Sequence, residues 1–202
     1  MLLPSSVLNQ WKRQRMKQQY KEWQANGCPN PPPHLVKQKA IQQYQQSYGC
    51  TTFVETGTYL GDMVEAQKKS FEKVYSVELS VDLFKRAQDK FKKDENVTIL
   101  QGDSGKVLPE IVKSIHEPTL FWLDGHYSAG TTAKGEKECP IFEELNAIFS
   151  RKEHNHIVLI DDARHFVGKG DYPTVAEITD YVKSQNEKYY VEVKHDIIRC
   201  II

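Results

Sequence analysis

The sequence predicts a doubly wound α/β protein, in which a mostly parallel sheet is covered by helices on both faces. From residue 51 onward, short apolar runs alternate with helical patterns, and each apolar run ends in polar residues. Alternation of this kind produces parallel strands, because each right-handed crossover returns the chain over the same sheet. The length of 202 residues allows one such core with an additional N-terminal segment.

The N-terminal segment is predicted to form two helices. The first covers residues 5–25, and its apolar side chains are spaced as one helical face: Leu8, Trp11, Met16, Tyr20 and Trp23. The second covers about 34–48 and stops before Gly49. We therefore divide the chain into a helical basic arm, residues 1–50, and an α/β domain, residues 51–202.

Five strand–helix units and a final hairpin make up the predicted α/β domain. The strands and their helices are, in order, 51–56 and 60–71, 74–79 and 81–93, 97–103 and 105–115, 119–126 and 140–150, and 156–166 and 174–185. Segments 189–196 and 197–202 then form a hairpin, so that the last strand is antiparallel. The result is a Rossmann-like, mostly parallel sheet of seven strands.

Charge is balanced over the whole chain but divided unevenly along it. There are 27 basic and 27 acidic residues, yet residues 1–50 hold seven Lys or Arg against the single acid Glu22. The arm therefore carries a charge of +6 and the remainder −6. Every apolar run is shorter than the roughly 18 residues needed to span a bilayer, and the opening residues are too short for a secretory signal. These features predict a cytoplasmic protein without membrane segments.

Carboxylates close five strands of the predicted sheet. They are Glu55, Glu78, Asp103, Asp124 and the pair Asp161–Asp162. Asp and Glu also favour turns and helix caps, which is the alternative interpretation of each one taken singly. Because ligands of open α/β sheets bind beyond the carboxyl ends of the strands, the whole set predicts one acidic ligand site.

The turn after the first strand lacks the dinucleotide-binding spacing GxGxxG. Counting from Gly57, the other two glycine positions hold Tyr59 and Asp62, and the next glycine is Gly61. Acids such as Glu55 and Asp62 at this helix start would repel a pyrophosphate and suit a cationic ligand. S-adenosylmethionine is such a ligand, because it carries a sulfonium and no phosphate.

With these residues, the sequence resembles the class I S-adenosylmethionine-dependent methyltransferases over residues 50–202. The resemblance begins at the ExGxxxG pattern and implies that Glu78 binds the ribose hydroxyls, that Asp103 and Ser104 contact adenine, and that Asp124 lies beside the amino acid portion of the donor. The implied cofactor-binding residues are Glu55, Gly57, Thr58, Tyr59, Gly61, Glu78, Asp103, Ser104 and Asp124.

Asp124, Asp161 and Asp162 also predict a metal site. Three neighbouring carboxylates repel one another unless a cation lies between them, and oxygen ligands suit Mg²⁺ or Mn²⁺. The pattern resembles that of metal-dependent sugar and macrolide O-methyltransferases. This resemblance implies that the metal polarises a hydroxyl of a sugar, nucleotide sugar or glycoside.

Further catalytic and substrate-binding residues are expected near the fourth and fifth strands. His126 and His165 are rival general bases, and Asp124 is a catalytic candidate beside them. Arg164 either neutralises an acidic substrate or pairs with Asp161 or Asp162. Lys134 and Lys137, in the glycine-punctuated loop 127–140, either meet an anionic acceptor or are solvated, and the loop 167–173 forms a second wall of the acceptor pocket.

Other functions agree with parts of the sequence. The basic arm, with its tryptophans, would suit an RNA methyltransferase or a nucleic-acid binder, although an apolar face of this kind more often packs on its own domain or on a second copy of the chain. An NAD-dependent oxidoreductase or epimerase is disfavoured by the missing glycines and the missing YxxxK pair. A cofactor-binding protein without activity is a further alternative. The sequence favours a methyltransferase with a small-molecule acceptor.

Overall fold

The computed structural model describes residues 5–125 and 139–202. In this part of the chain the order of elements is α1 (Ser5–Ala25), α2 (His34–Tyr48), β1 (Thr52–Thr56), α3 (Asp62–Gln67), β2 (Lys73–Glu78), α4 (Val81–Phe91), β3 (Val97–Gln101), α5 (Ser104–Lys113), β4 (Thr119–Leu123), α6 (Ile141–Phe149), β5 (Ile157–Ile160), β6 (Val167–Lys169), β7 (Tyr172–Thr174), α7 (Val175–Gln185), β8 (Tyr190–Lys194) and β9 (Ile197–Ile201). The two predicted N-terminal helices and the five strand–helix units are confirmed.

Within the described residues, seven strands form one sheet in the order β3-β2-β1-β4-β5-β9-β8. The first five of these pair in parallel, whereas β9 runs antiparallel to both β5 and β8. The predicted doubly wound sheet with an antiparallel last strand is confirmed. The strand order reverses between β1 and β4, which is the point of an open α/β sheet where a ligand crevice forms.

The core lies on both faces of the central strands. One face packs α5, α6 and α7 against the sheet, with Leu108 and Leu145 fully buried. The other packs α2, α3 and α4, with Ile41 and Val64 fully buried. Both faces of β1 and β4 are covered, as expected for strands at the centre of a parallel sheet.

The two N-terminal helices differ in how they meet this core. Helix α2 packs directly on the sheet through Ile41 and its neighbours, whereas α1 is exposed over most of its described length. Trp11 is 68% exposed and Trp23 only 7%, so the predicted apolar face of α1 is buried only near its C-terminal end. The boundary between a basic arm and an α/β domain at residue 50 stays a prediction.

Among the described residues no helix combines the length and the apolar character that a membrane span requires.

The segment predicted as a loop at 167–173 contains the hairpin β6–β7. Val167 pairs with Thr174 and Lys169 with Tyr172. Thr174 then caps α7, because its side chain accepts from the backbone of Glu177 while the Glu177 carboxylate accepts from the backbone of Thr174. The hairpin therefore fixes the chain between β5 and α7.

Candidate functional site

Gly57 brings the turn after β1 into direct contact with the end of β4. Its φ is +85°, and a Cβ built on it would lie 2.3 Å from the carbonyl oxygen of Asp124. The backbone amide of Gly57 also donates to the carbonyl of Val77 on the other side, at 2.9 Å. Only glycine combines this conformation with such a close approach. The turn therefore lies at the crevice where the strand order reverses.

The rest of the turn is held by Lys90, a residue that the sequence did not single out. Its ammonium donates to the carbonyls of Leu60 and Gly61, at 2.9 and 3.1 Å. Gly61 has a φ of +69° and precedes the first residue of α3. Tyr59, with a φ of +48°, exposes 46% of its surface. The turn thus presents an aromatic side chain to solvent.

Glu78 joins this turn to the start of α4. One carboxylate oxygen accepts from the backbone amide of Tyr59 at 2.8 Å, and the other accepts from the amide of Ser80 at 2.8 Å. The residue is 5% exposed. Since a carboxylate oxygen can accept more than one hydrogen bond, both oxygens retain capacity for the two hydroxyls of a ribose. The structure places Glu78 beside the glycine turn, and its contact with a cofactor stays a prediction.

Glu55 is enclosed by hydroxyl groups. Ser76 donates to its carboxylate at 2.6 Å, and the hydroxyls of Ser76 and Thr58 are themselves 2.6 Å apart. Burial raises the pKa of Glu55 to about 8, so the carboxyl group is mostly protonated near pH 7. The negative charge that the sequence predicts at Glu55 is therefore largely neutralised by a proton in this turn. A cation placed beside it would favour its ionisation.

Asp103 acts as the N-cap of α5. Its carboxylate accepts from the backbone amide of Gly105 at 2.9 Å, and Ser104 is the first residue of the helix, 8% exposed. Asp103 therefore caps the helix, while the contact of Asp103 and Ser104 with adenine stays a prediction. The cap also places Asp103 and Ser104 one strand away from Glu78, because β2 and β3 are paired in parallel through Glu78 and Gln101.

Asp124, Asp161 and Asp162 form one acidic cluster. One ligand oxygen from each lies within 4.8 Å of the others. The reason is the register of the sheet, since Leu123 at the end of β4 pairs with Ile160 at the end of β5. The next residues of the two strands are the aspartates, and Asp162 has a left-handed backbone with a φ of +53°.

Among the described residues, two cations contact this acidic cluster, and the sequence analysis did not predict Lys37 as one of them. Lys37 of α2 donates to Asp161 and also to Asp162, the latter at 3.3 Å. Arg164 donates to Asp162 at 2.8 Å and pairs with Asp196. Of the alternatives for Arg164, pairing with Asp162 is observed. Lys37 is 124 residues from Asp161 in sequence, and nothing in its helical pattern distinguishes it from nearby lysines.

The electrostatics of the acidic cluster fit a divalent cation. Burial raises the pKa of Asp124 well above its ordinary value, and the neighbouring Asp161 raises it further. Burial also raises the pKa of Asp161, although Lys37 opposes this change. Burial lowers the pKa of Lys37, but Asp161 and Asp162 outweigh it and the net shift is upward. When ionised, Asp196 and the three clustered aspartates carry four negative charges against two positive charges from Lys37 and Arg164.

Of the two predicted general bases, His126 and His165, the structure describes only His165. His165 is exposed on a short 3-10 turn after β5, with its ring 6.0 Å from the ring of Tyr172 on β7. His126 lies outside the described residues, as do Lys134, Lys137 and most of the predicted loop 127–140. His165 follows Asp162 by three residues in the chain, and its role as a base stays a prediction.

Comparison with known proteins finds similarity in structure only. No family model matches the chain, and no curated protein matches it. The O-methyltransferase TomG from Streptomyces achromogenes, which is involved in tomaymycin synthesis and was solved with S-adenosylmethionine, has a TM-score of 0.62 at 12% identity over 93% of this chain and 88% of its own. The chain has the class I methyltransferase fold.

Two further structures share this class I fold. An O-methyltransferase from Bacillus cereus, solved with S-adenosylhomocysteine, has a TM-score of 0.60 at 13% identity over 93% of this chain and 90% of its own. A precorrin-6y C5,15-methyltransferase from Geobacter metallireducens has a TM-score of 0.53 at 12% identity over 81% and 86%. The predicted resemblance is thus confirmed for the class I fold. At identities this low, the acceptor has to be inferred from the residues of the site.

Proposed function

We propose that the chain is an S-adenosylmethionine-dependent methyltransferase that methylates a hydroxyl of a small molecule, such as a sugar or a glycoside, with a divalent ion at the acidic cluster. The observation that carries this proposal is the contact of Gly57 with the backbone of Asp124. A donor lying on the glycine turn would meet, one strand away, an acceptor held at Asp124, Asp161 and Asp162. The two reactants would therefore be adjacent.

The residues of the turn support S-adenosylmethionine as the donor. The buried Glu78 has hydrogen-bonding capacity for a ribose diol, and Asp62 adds an acid at the helix start where a dinucleotide fold would place pyrophosphate. Glu55 would become ionised beside a sulfonium or an ammonium group. The ligands solved with TomG and with the Bacillus cereus enzyme agree with this choice.

In the proposed reaction, a lone pair of the acceptor oxygen attacks the methyl carbon in line with the carbon–sulfur bond. The new oxygen–carbon bond forms as the old bond breaks, and sulfur keeps the electron pair to give S-adenosylhomocysteine. The hydroxyl proton passes to a base, for which His126 and His165 are the candidates. When bound, Mg²⁺ or Mn²⁺ would act as a Lewis acid on the hydroxyl. Asp124, Asp161 and Asp162 would hold the ion and so orient the acceptor.

The test is transfer of a labelled methyl group from S-adenosylmethionine to a panel of sugars, nucleotide sugars and phenolic or glycosidic alcohols. We expect transfer to at least one hydroxyl class, stimulation by Mg²⁺ or Mn²⁺, and loss of that stimulation with a chelator. Binding of S-adenosylmethionine with transfer to amines alone would contradict the proposed acceptor. Transfer that a chelator leaves unchanged would contradict the role of the metal.

A second candidate acceptor is RNA, and the exposure of α1 favours it. Lys12, Arg13, Arg15 and Lys17 are exposed around the exposed Trp11. A basic helix with an exposed aromatic side chain can contact phosphates and stack on bases. RNA binding that weakens steeply with salt, and that is lost when Arg13 and Arg15 are replaced by Glu, would support this candidate. Salt-independent or absent binding would exclude it.

A further inference from the structure

Lys37 occupies the acidic cluster as a cation supplied by the chain itself. Its ammonium contacts the carboxylates of both Asp161 and Asp162. The Lys37 side chain is 16% exposed and that of Asp161 only 1%, so water screens this contact weakly. The two carboxylates that Lys37 contacts are two of the three whose oxygens lie within 4.8 Å of one another. A divalent ion bound at the cluster would be held by the carboxylates of the same two residues together with Asp124.

An ammonium and a divalent ion cannot share these carboxylates without a large repulsion. Both are cations, and both would lie within a few ångströms of each other among buried groups, where like charges repel strongly. Mg²⁺ and Mn²⁺ also require oxygen ligands close around the ion, which leaves no place for a nitrogen on the same lone pairs. Binding of the ion therefore requires the Lys37 side chain to leave.

The structure allows Lys37 to leave without moving its helix. Helix α2 is fixed to the core by Ile41, which is fully buried, and by the hydrogen bond from Gln67 to the carbonyl of Gln38 at 3.2 Å. The lysine side chain is a flexible four-carbon stem, and rotation of this stem carries the ammonium several ångströms. The partial exposure of Lys37 means that solvent is within reach of its ammonium.

We propose that Lys37 is a tethered competitor of the divalent ion, so that helix α2 sets the metal affinity of the acidic cluster. With the ion absent, Lys37 neutralises part of the charge of Asp161 and Asp162. With the ion present, Lys37 is displaced toward solvent. This inference rests on the metal site of the proposed function, but not on methyl transfer.

The test is Mn²⁺ binding to the full chain, measured from the electron paramagnetic resonance signal of the free ion. Lys37→Met removes the competing charge and should tighten Mn²⁺ binding roughly tenfold or more. Lys37→Gln, which keeps a polar group without the charge, should change affinity in the same direction. Lys39→Met is the matched control, because Lys39 lies on the same helix but is exposed and contacts the ring of Tyr20. It should bind Mn²⁺ as the wild type does.

A second measurement needs no variant. Acetylation of lysines by a limiting reagent, followed by mass spectrometry, should show that Mn²⁺ raises the reactivity of Lys37 and leaves that of Lys39 unchanged. Unchanged Mn²⁺ affinity in both Lys37 variants would overturn the competition while leaving the metal site intact. Absence of Mn²⁺ binding in all variants would overturn both. Binding of S-adenosylhomocysteine is measured separately and reports on the proposed function alone.

Discussion

The two halves of the site hold their carboxylates in different ways. On the β1–β3 side, Glu55, Glu78 and Asp103 are held by hydroxyls and backbone amides that lie at most 21 residues away in sequence. On the β4–β5 side, Asp161 and Asp162 are held by cationic side chains, one of them 124 residues away. We infer that the first half binds a ligand with hydroxyl groups, whereas in the second half one cation can replace another.

Removing the two charges of the β4–β5 side should have the largest effect. In Asp161→Asn combined with Asp162→Asn, Lys37 loses both observed carboxylate partners and Arg164 loses one. We expect a loss of about 3 kcal/mol in the free energy of unfolding, since several charge-assisted hydrogen bonds to these two largely buried carboxylates are weakened together. Metal stimulation of turnover should disappear, and affinity for S-adenosylhomocysteine should stay nearly intact.

Chemical denaturation would measure the free energy of unfolding, calorimetry the affinity for S-adenosylhomocysteine, and a methyl-transfer assay the metal stimulation. The control is Asp94→Asn, which removes an ion pair with Lys68 away from the site and should cost about 1 kcal/mol or less. If the double variant lost cofactor affinity to the same degree as metal stimulation, the two halves would not be separate in function.

A side chain at Gly57 should disrupt the boundary between the halves. Gly57→Ala forces a Cβ against the Asp124 carbonyl at a φ of +85°, and the clash with backbone together with the strain should cost about 3 kcal/mol. Gly49→Ala is the matched control, because Gly49 has a φ of +64° but nothing within 4 Å of the added Cβ, and it should cost only about 1 kcal/mol. Thermal melting would compare the two. Equal losses of stability in the two variants would show that the contact between Gly57 and the Asp124 carbonyl does not affect the free energy of unfolding.

Truncating Glu78 should affect only the β1–β3 half. Glu78→Ala leaves the amides of Tyr59 and Ser80 without their acceptor and should weaken S-adenosylhomocysteine binding by about 1–3 kcal/mol. Mn²⁺ affinity should be unchanged. Asp82→Ala, an exposed acid in the first turn of α4, is the control and should leave both affinities as they are. A loss of Mn²⁺ binding in Glu78→Ala would contradict the separation of the halves.

The last expected effect is a change in how stability varies with pH, rather than in stability or affinity at one pH. The pKa of Glu55 rises from 4.5 to about 8 on folding, so the folded protein keeps a proton that the unfolded chain releases between these values. This contribution to stability is complete below about pH 4.5 and is lost as the pH rises toward 8. Glu55→Gln should therefore flatten the decline of unfolding free energy over this range, and Glu95→Gln, at an exposed site, should not. An unchanged slope in Glu55→Gln would show that Glu55 is ionised in the folded protein.

The sequence predicted the fold and the positions of the carboxylates because both follow from local patterns. Alternating strands and helices determine the sheet, and residues that end parallel strands must meet at one edge. Lys37 and Asp196 were missed, because contacts between distant segments leave no periodic signal. The protonation of Glu55 depends on its burial in the folded protein, which the local pattern does not reveal. The sequence predicts a loop at the hairpin β6–β7, since its strands have three residues each and include Gly168 in β6 and Pro173 in β7.

We propose that the carboxylate-rich edge of the sheet binds a cationic methyl donor. Isothermal titration calorimetry of the full chain against S-adenosylmethionine, S-adenosylhomocysteine and NAD, with and without Mg²⁺, tests it most directly. We predict saturable binding of both adenosyl compounds, weakened by Glu78→Ala, and no measurable binding of NAD. Binding of NAD together with indifference to S-adenosylmethionine would contradict the account.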